Sequence, residues 1–127
     1  MTQNTPKKLL IVEDERTLAS ALATKFGKNG FACDECHDGA CAILMLREQH
    51  FDAVLLDILL PEKDGYAVLE SMKGGSNATT PVYVLTALGQ EEKLERAKQL
   101  GAKRCYVKSL TSIADVMKEI KADLEMA

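Results

Sequence analysis

Four short apolar runs constrain what this chain can become. They are Leu9-Leu10-Ile11-Val12, Ala53-Val54-Leu55-Leu56, Val82-Tyr83-Val84-Leu85 and the shorter Cys105-Tyr106-Val107. A strand with one face in water alternates apolar and polar residues. Runs without that alternation fit parallel strands covered on both faces. A weaker strand, Phe31 to Cys36, lies between the first two. Each of the four runs stops at polar residues: Glu13 with Asp14, then Asp57, Thr86 and Lys108. Parallel strands end along one edge of their sheet, so these five residues are expected to gather there.

Helical patterns separate the strands. Leu18, Leu22 and Phe26 precede a stop near Gly30, and Ile43, Leu44 and Leu46 follow Asp38-Gly39. Tyr66, Leu69 and Met72 stop at Gly74-Gly75, and Leu94, Ala97 and Leu100 stop at Gly101. Ile113, Met117, Ile120 and Leu124 complete the series. These are one-face helical spacings. Five repeats of strand then helix, joined by right-handed crossovers, predict an α/β fold with a doubly wound parallel sheet. Ligands of such sheets bind outside the carboxyl ends of the strands, where the five polar residues lie.

The 127 residues suit one domain, expected over 1–127 with a polar lead at 1–7. A net charge of -3, with no basic run of five or more, argues against a nucleic-acid partner. No apolar stretch approaches the ~20 residues of a membrane span, and the lead lacks the apolar core of a secretory signal. A cytoplasmic protein with four reduced cysteines is expected, with no membrane partner.

Glu13, Asp14 and Asp57 cannot share one edge ionised and unaccompanied. Like charges ~4 Å apart repel by ~4 kcal/mol at an effective dielectric of ~20. A hard divalent cation removes the conflict, and a few carboxylates plus waters suit Mg²⁺. A flavodoxin-type phosphate cradle is excluded, because Glu13-Asp14-Glu15 after the first run would repel a preformed anion. Neither G-x-x-x-x-G-K-[ST] nor G-x-G-x-x-G is present. Cys33-Asp34-Glu35-Cys36-His37 spells C-x-x-C-H, the c-type haem attachment string. Strand alternation sends its two cysteines to opposite faces, so packing is favoured over haem. A zinc site from Cys33, Cys36, His37 and Cys41 is set aside with it.

Asp57 is followed by Pro61 and by Asp64-Gly65. With the paired acids after the first strand, Leu85-Thr86-Ala87, and Gly101-Ala102 leading to Lys108, this closely resembles bacterial two-component response-regulator receiver domains, of the chemotaxis-type single-domain kind. The resemblance covers essentially the whole chain. It implies a flavodoxin-like fold with strand order 2-1-3-4-5 and five helices. It also implies roles. Asp57 would be the phosphoacceptor, supplied by a sensor histidine kinase or a phosphotransfer protein. Glu13, Asp14, Asp57 and the backbone carbonyl of Leu59 would hold Mg²⁺, Thr86 would hydrogen-bond a phosphoryl oxygen, and Lys108 would pair with its charge. Leu59 and Leu88 would flank the path of attacking water. A haloacid-dehalogenase-type phosphatase needs an Asp two residues after its nucleophile, where this chain has Leu59.

Three positions depart from the family pattern. Ser109 stands where proline usually follows the lysine. Cys105 stands where a switch ring is usual, with Tyr106 one place later. Lys103-Arg104 replaces two acids used in dimer salt bridges. The expected function is therefore a phosphorylation-dependent switch that is a monomer or weak dimer. It would signal through an unknown protein partner, without turnover of a separate substrate. The alternative is a receiver-like interaction module with weak or no phosphorylation-driven switching.

Overall fold

The sheet is built around β3 (Ala53–Leu56), whose four residues are all buried. In this computed structural model, which describes residues 5–126, β1 (Lys7–Val12) and β4 (Val82–Thr86) flank β3. The edges are β2 (Phe31–Cys36) and β5 (Arg104–Val107), giving a parallel sheet of order β2-β1-β3-β4-β5. The helices are α1 (Arg16–Gly27), α2 (Gly39–Glu48), α3 (Gly65–Ser71), α4 (Glu91–Gln99) and α5 (Ile113–Asp123). This is the expected doubly wound fold. The edge strands are only partly buried, which is why β2 reads weakly in the sequence. Residues 1–4 of the expected lead lie outside the described residues. Lys7, assigned to that lead, is instead the first residue of β1.

Side chains alternate across the sheet and split the core in two. Leu9, Ile11, Leu55, Tyr83 and Leu85 meet α1 and α5 through Leu22, Phe26, Val116 and Ile120. Leu10, Val12, Val54, Leu56, Val82 and Val84 meet α2, α3 and α4 through Ala42, Leu46, Val68, Leu69 and Ala97. Leu44, expected on the inner face of α2, is 51% exposed. It lies two residues from both Ala42 and Leu46, about 200° around a helix of 3.6 residues per turn, so it points outward when they point in.

Asp38, Asp64 and Ser112 cap α2, α3 and α5 by accepting from the N–H groups of Cys41, Ala67 and Asp115. The glycines after the two aspartates are required by close approach. A Cβ at Gly39 would lie 1.8 Å from the Lys63 carbonyl oxygen, and one at Gly65 would lie 2.7 Å from that of Asp57.

The cysteines correct one expectation. Cys33 and Cys36 face opposite sides of β2, as alternation requires. The set of four reduced thiols does not hold, because Cys36 and Cys41 are joined in a disulfide with their Cα atoms 5.7 Å apart. Compartment arguments say nothing about local geometry. The Asp38 cap turns the chain so that the first turn of α2 returns over the end of β2. Cys33 and Cys105 are free.

Candidate functional site

Strand register explains why the acids meet. Val12 pairs with Leu56, Leu56 with Val84, and Val84 with Cys105, forming one row across the sheet. The next residue along each strand is therefore Glu13, Asp57, Leu85 or Tyr106. The ladder runs one bond further: Asp57 N–H donates to Val12 at 3.0 Å, and Glu13 N–H to Cys36 at 2.9 Å. Glu13 and Asp57 are buried, while Asp14 is exposed at the rim. Thr86, the last residue of β4, is fully buried, and its hydroxyl accepts from Leu88 N–H at 3.3 Å.

Lys108 closes the site. Its Nζ lies 2.8 Å from Glu13 Oε1 and 2.9 Å from Asp57 Oδ2. The remaining oxygens are also engaged: Glu13 Oε2 accepts from Glu15 N–H and Asp57 Oδ1 from Leu59 N–H, each at 3.1 Å. Burial raises the Glu13 carboxyl above the ordinary glutamate range, against the lowering effect of Lys108. Burial pulls the Lys108 amine down, but its hydrogen bonds to Asp57 and Glu13 outweigh that and leave it raised. So Glu13, Asp14, Asp57 and Lys108 come together, Leu59 reaches Asp57 through its N–H rather than its carbonyl and shows half its surface to solvent, and the Thr86 hydroxyl is engaged with Leu88 at the end of β4.

The donor set fits a hard divalent ion. One oxygen from each of Glu13, Asp14 and Asp57 can lie within 4.8 Å of the others. Three carboxylates facing a single ammonium leave two negative charges uncompensated. All donors are oxygen, the chemistry that Mg²⁺ prefers. The Cys33–His37 string does not converge in this way, because Cys36 is bonded to Cys41 and Cys33 lies across the sheet.

Cys105 and Tyr106 are divided by the sheet. Cys105 packs on the α4 side, its Sγ 3.8 Å from the Leu94 carbonyl oxygen. Tyr106 lies on the α5 side and donates its hydroxyl proton to Glu119. The Lys108–Ser109 peptide is trans, and Lys108–Leu110 forms a single 3-10 turn.

Two arrangements escaped the sequence. Tyr66 of α3 donates to the Lys93 carbonyl at 2.9 Å, and its ring carries the Arg96 guanidinium 4.1 Å from its centre. In the sequence Tyr66 reads only as an apolar helical position. Asp123 of α5 accepts from Arg104 Nε and Nη2, each at 3.0 Å, and from the Tyr83 hydroxyl at 2.8 Å. The Arg104 hydrogen bonds, helped by Tyr83 against the effect of burial, hold the Asp123 carboxyl down to about 2. In the sequence Arg104 stands out for its sign alone, and nothing local points from it to a residue in α5.

The profile of the response regulator receiver domain matches residues 9–121. The chain belongs to that family. The transcriptional activator protein PfeR of Pseudomonas aeruginosa is 41% identical over 85 residues, covering 67% of this chain and 27% of that protein. The transcriptional regulatory protein ResD of Bacillus subtilis is 31% identical over 127 residues, covering 100% of this chain and 52% of its own. The receiver thus spans about half or less of these relatives. Among solved structures, the CheX–CheY–BeF3–Mg complex of Borrelia burgdorferi matches with a TM-score of 0.84 and 28% identity, over 93% of this chain and 89% of that one. Receiver domains serve phosphorylation-based signalling in two-component systems. They bind Mg²⁺ at an acidic cluster and interact with histidine kinases or phosphotransfer proteins. Among the described residues of this receiver, no helix is long and apolar enough to cross a membrane.

Proposed function

We propose that this receiver is a phosphorylation-dependent switch with Asp57 as its phosphoacceptor. The observation that carries the proposal is the bridge from Lys108 Nζ to Asp57 and Glu13, with Asp14 beside them at the strand ends. A carboxylate oxygen of Asp57 attacks the phosphorus of a phosphohistidine, and the P–N bond breaks with its electron pair going to the imidazole. Glu13, Asp14, Asp57 and the carbonyl of Leu59 would hold Mg²⁺. When bound, that ion supplies charge neutralisation for the phosphoryl oxygens. Lys108 gives a second positive charge to the same group. Thr86 donates its hydroxyl proton to a phosphoryl oxygen.

The product is a changed surface that a cytoplasmic protein partner reads, without turnover of a second substrate. Arg104 is engaged by Asp123 within the chain, which supports a monomer or weak dimer. One observation favours the second reading, a module with weak switching: Tyr106 stands on the face opposite Cys105, so β5 presents no ring to α4.

The test is phosphorylation by acetyl phosphate or a phosphorylated kinase with Mg²⁺, read by intact mass. One phosphoryl group should be added to the native chain and none to Asp57→Asn. Asp14→Ala should weaken Mg²⁺ binding and slow the reaction together. Stoichiometric acid-stable label on Ser or Thr in Asp57→Asn would overturn the assignment.

A further inference from the structure

The corner between β2 and α2 holds chemistry that phosphorylation does not use. Cys36, the last residue of β2, is almost fully buried, and Cys41, in the first turn of α2, is half-buried. Their sulfurs are bonded, and Met45 Sδ lies 3.3 Å from Cys36 Sγ. The bridge closes only a short loop, so its entropic contribution to the fold is less than that of a long-range bridge. The two apolar clusters supply the domain's core.

The corner also touches the acidic site from two sides. The Cys36 carbonyl accepts from Glu13 N–H at 2.9 Å, so the buried acid hangs from the cysteine's own peptide. Gly39, between the two cysteines, donates to the Pro61 carbonyl at 3.3 Å, and its bare α-carbon sits on the Lys63 carbonyl. Pro61 to Lys63 belong to the loop that follows Asp57.

We propose that Cys36 and Cys41 form a reversible thiol–disulfide site whose state sets how firmly the backbone of Glu13 is held. The bond ties the first turn of α2 to the end of β2. Reduction removes that tie and frees Cys41 to leave Cys36, so the Glu13 and Pro61 hydrogen bonds beside it open more readily. The co-reactant is a small disulfide, R–S–S–R. The Cys41 thiolate attacks one of its sulfurs, the S–S bond breaks, and one R–S⁻ leaves. The Cys36 thiolate then attacks Cys41 Sγ and expels the second R–S⁻. The two protein thiols lose two electrons and two protons, and the reagent gains them as two R–SH. Cys33 is a poor competitor: burial, then the charges of Asp34 and Glu35, push its thiol up to about 11.

The experiment equilibrates the native chain in glutathione buffers of different ratio, traps thiols by alkylation and maps the peptides. A Cys36–Cys41 linkage that forms and breaks reversibly, with Cys33 and Cys105 alkylated throughout, is expected. Alkylation of Cys36 and Cys41 in the oxidised buffer, or linkage only after unfolding, would overturn the site. Hydrogen exchange at the Glu13 amide reads the coupling without phosphate or metal. It should be about threefold or more faster in the reduced chain, the scale of coupling through a packed network. Cys41→Ser should show the fast rate in either buffer. Equal Glu13 exchange in oxidised and reduced native protein would refute the coupling, whether or not the variant folds. Loss of Mg²⁺ binding in both states would instead count against the acidic-site proposal and leave the thiol pair standing.

Discussion

Asp123→Ala tests how α5 is tied to the sheet. Asp123 accepts two hydrogen bonds from Arg104 and one from Tyr83. The two parts differ in worth. The Arg104 side chain is 42% exposed, so solvent screens that ion pair and makes it the smaller part. Tyr83 is completely buried, and stranding its hydroxyl costs roughly 1–3 kcal/mol. The variant should lose roughly 1–3 kcal/mol, mostly from the Tyr83 hydroxyl, a fall of about 3–12 °C in Tm for a chain of this size. The loss depends on pH in a defined sense. The Asp123 carboxyl sits near 2 in the fold, against an ordinary 3.8. A lowered acid contributes its full stability above the ordinary value and loses it as pH falls through the lowered one. Urea unfolding of both chains should therefore show the full difference near neutrality and a shrinking one as pH falls toward about 2. A Tyr83→Phe background separates the two parts. There, Asp123→Ala should cost only the ion pair. An equal cost in both backgrounds, or less than about 0.5 kcal/mol in the native one, would refute the reasoning.

Leu59 and Leu88 are apolar and cannot orient a water for attack on phosphorus, so Leu59→Asn and Leu88→Glu should each speed loss of the phosphoryl group; unchanged decay would sink that explanation. Asn77 is buried and bonds Phe51 N–H, Thr80 and the carbonyls of Leu46 and Gln49, so Asn77→Ala should cost roughly 3 kcal/mol in urea unfolding by stranding several of these groups. Beryllofluoride should produce small amide shifts around Cys105 and Tyr106 and along α4. Large shifts there without a partner would contradict weak switching, and their appearance on Cys105→Tyr would support it.

The fold was legible because both of its signals are local: unbroken apolar runs for the strands and one-face spacing for the helices. Continuous apolar runs mark strands buried on two faces, and the polar residue ending each run marks the edge. Glu13, Asp57 and Lys108 could be brought together from that alone. Other contacts stayed hidden for particular reasons. The Arg104–Asp123–Tyr83 cluster joins three elements through side chains with no shared spacing. The Cys36–Cys41 bond depends on the angle at which a capped helix leaves a strand, and composition does not encode that angle. Leu44 looked like core because Ile43-Leu44-Met45-Leu46 is unbroken apolar, and only the helix phase set by Ala42 and Leu46 turns it outward.

The chain has three tyrosines and no tryptophan, and the fold gives each ring a different neighbour. Tyr66 lies on α4, Tyr83 under α5 and Tyr106 against the outer turns of α5. The ring resonances of the unaltered protein therefore carry one signal from the α4 contact and two from α5 contacts. A partner that displaces α4 alone should perturb the Tyr66 signal and leave the other two silent. The native chain is in this sense already labelled, and the site of an incoming partner can be assigned from its tyrosine ring resonances without attaching a probe.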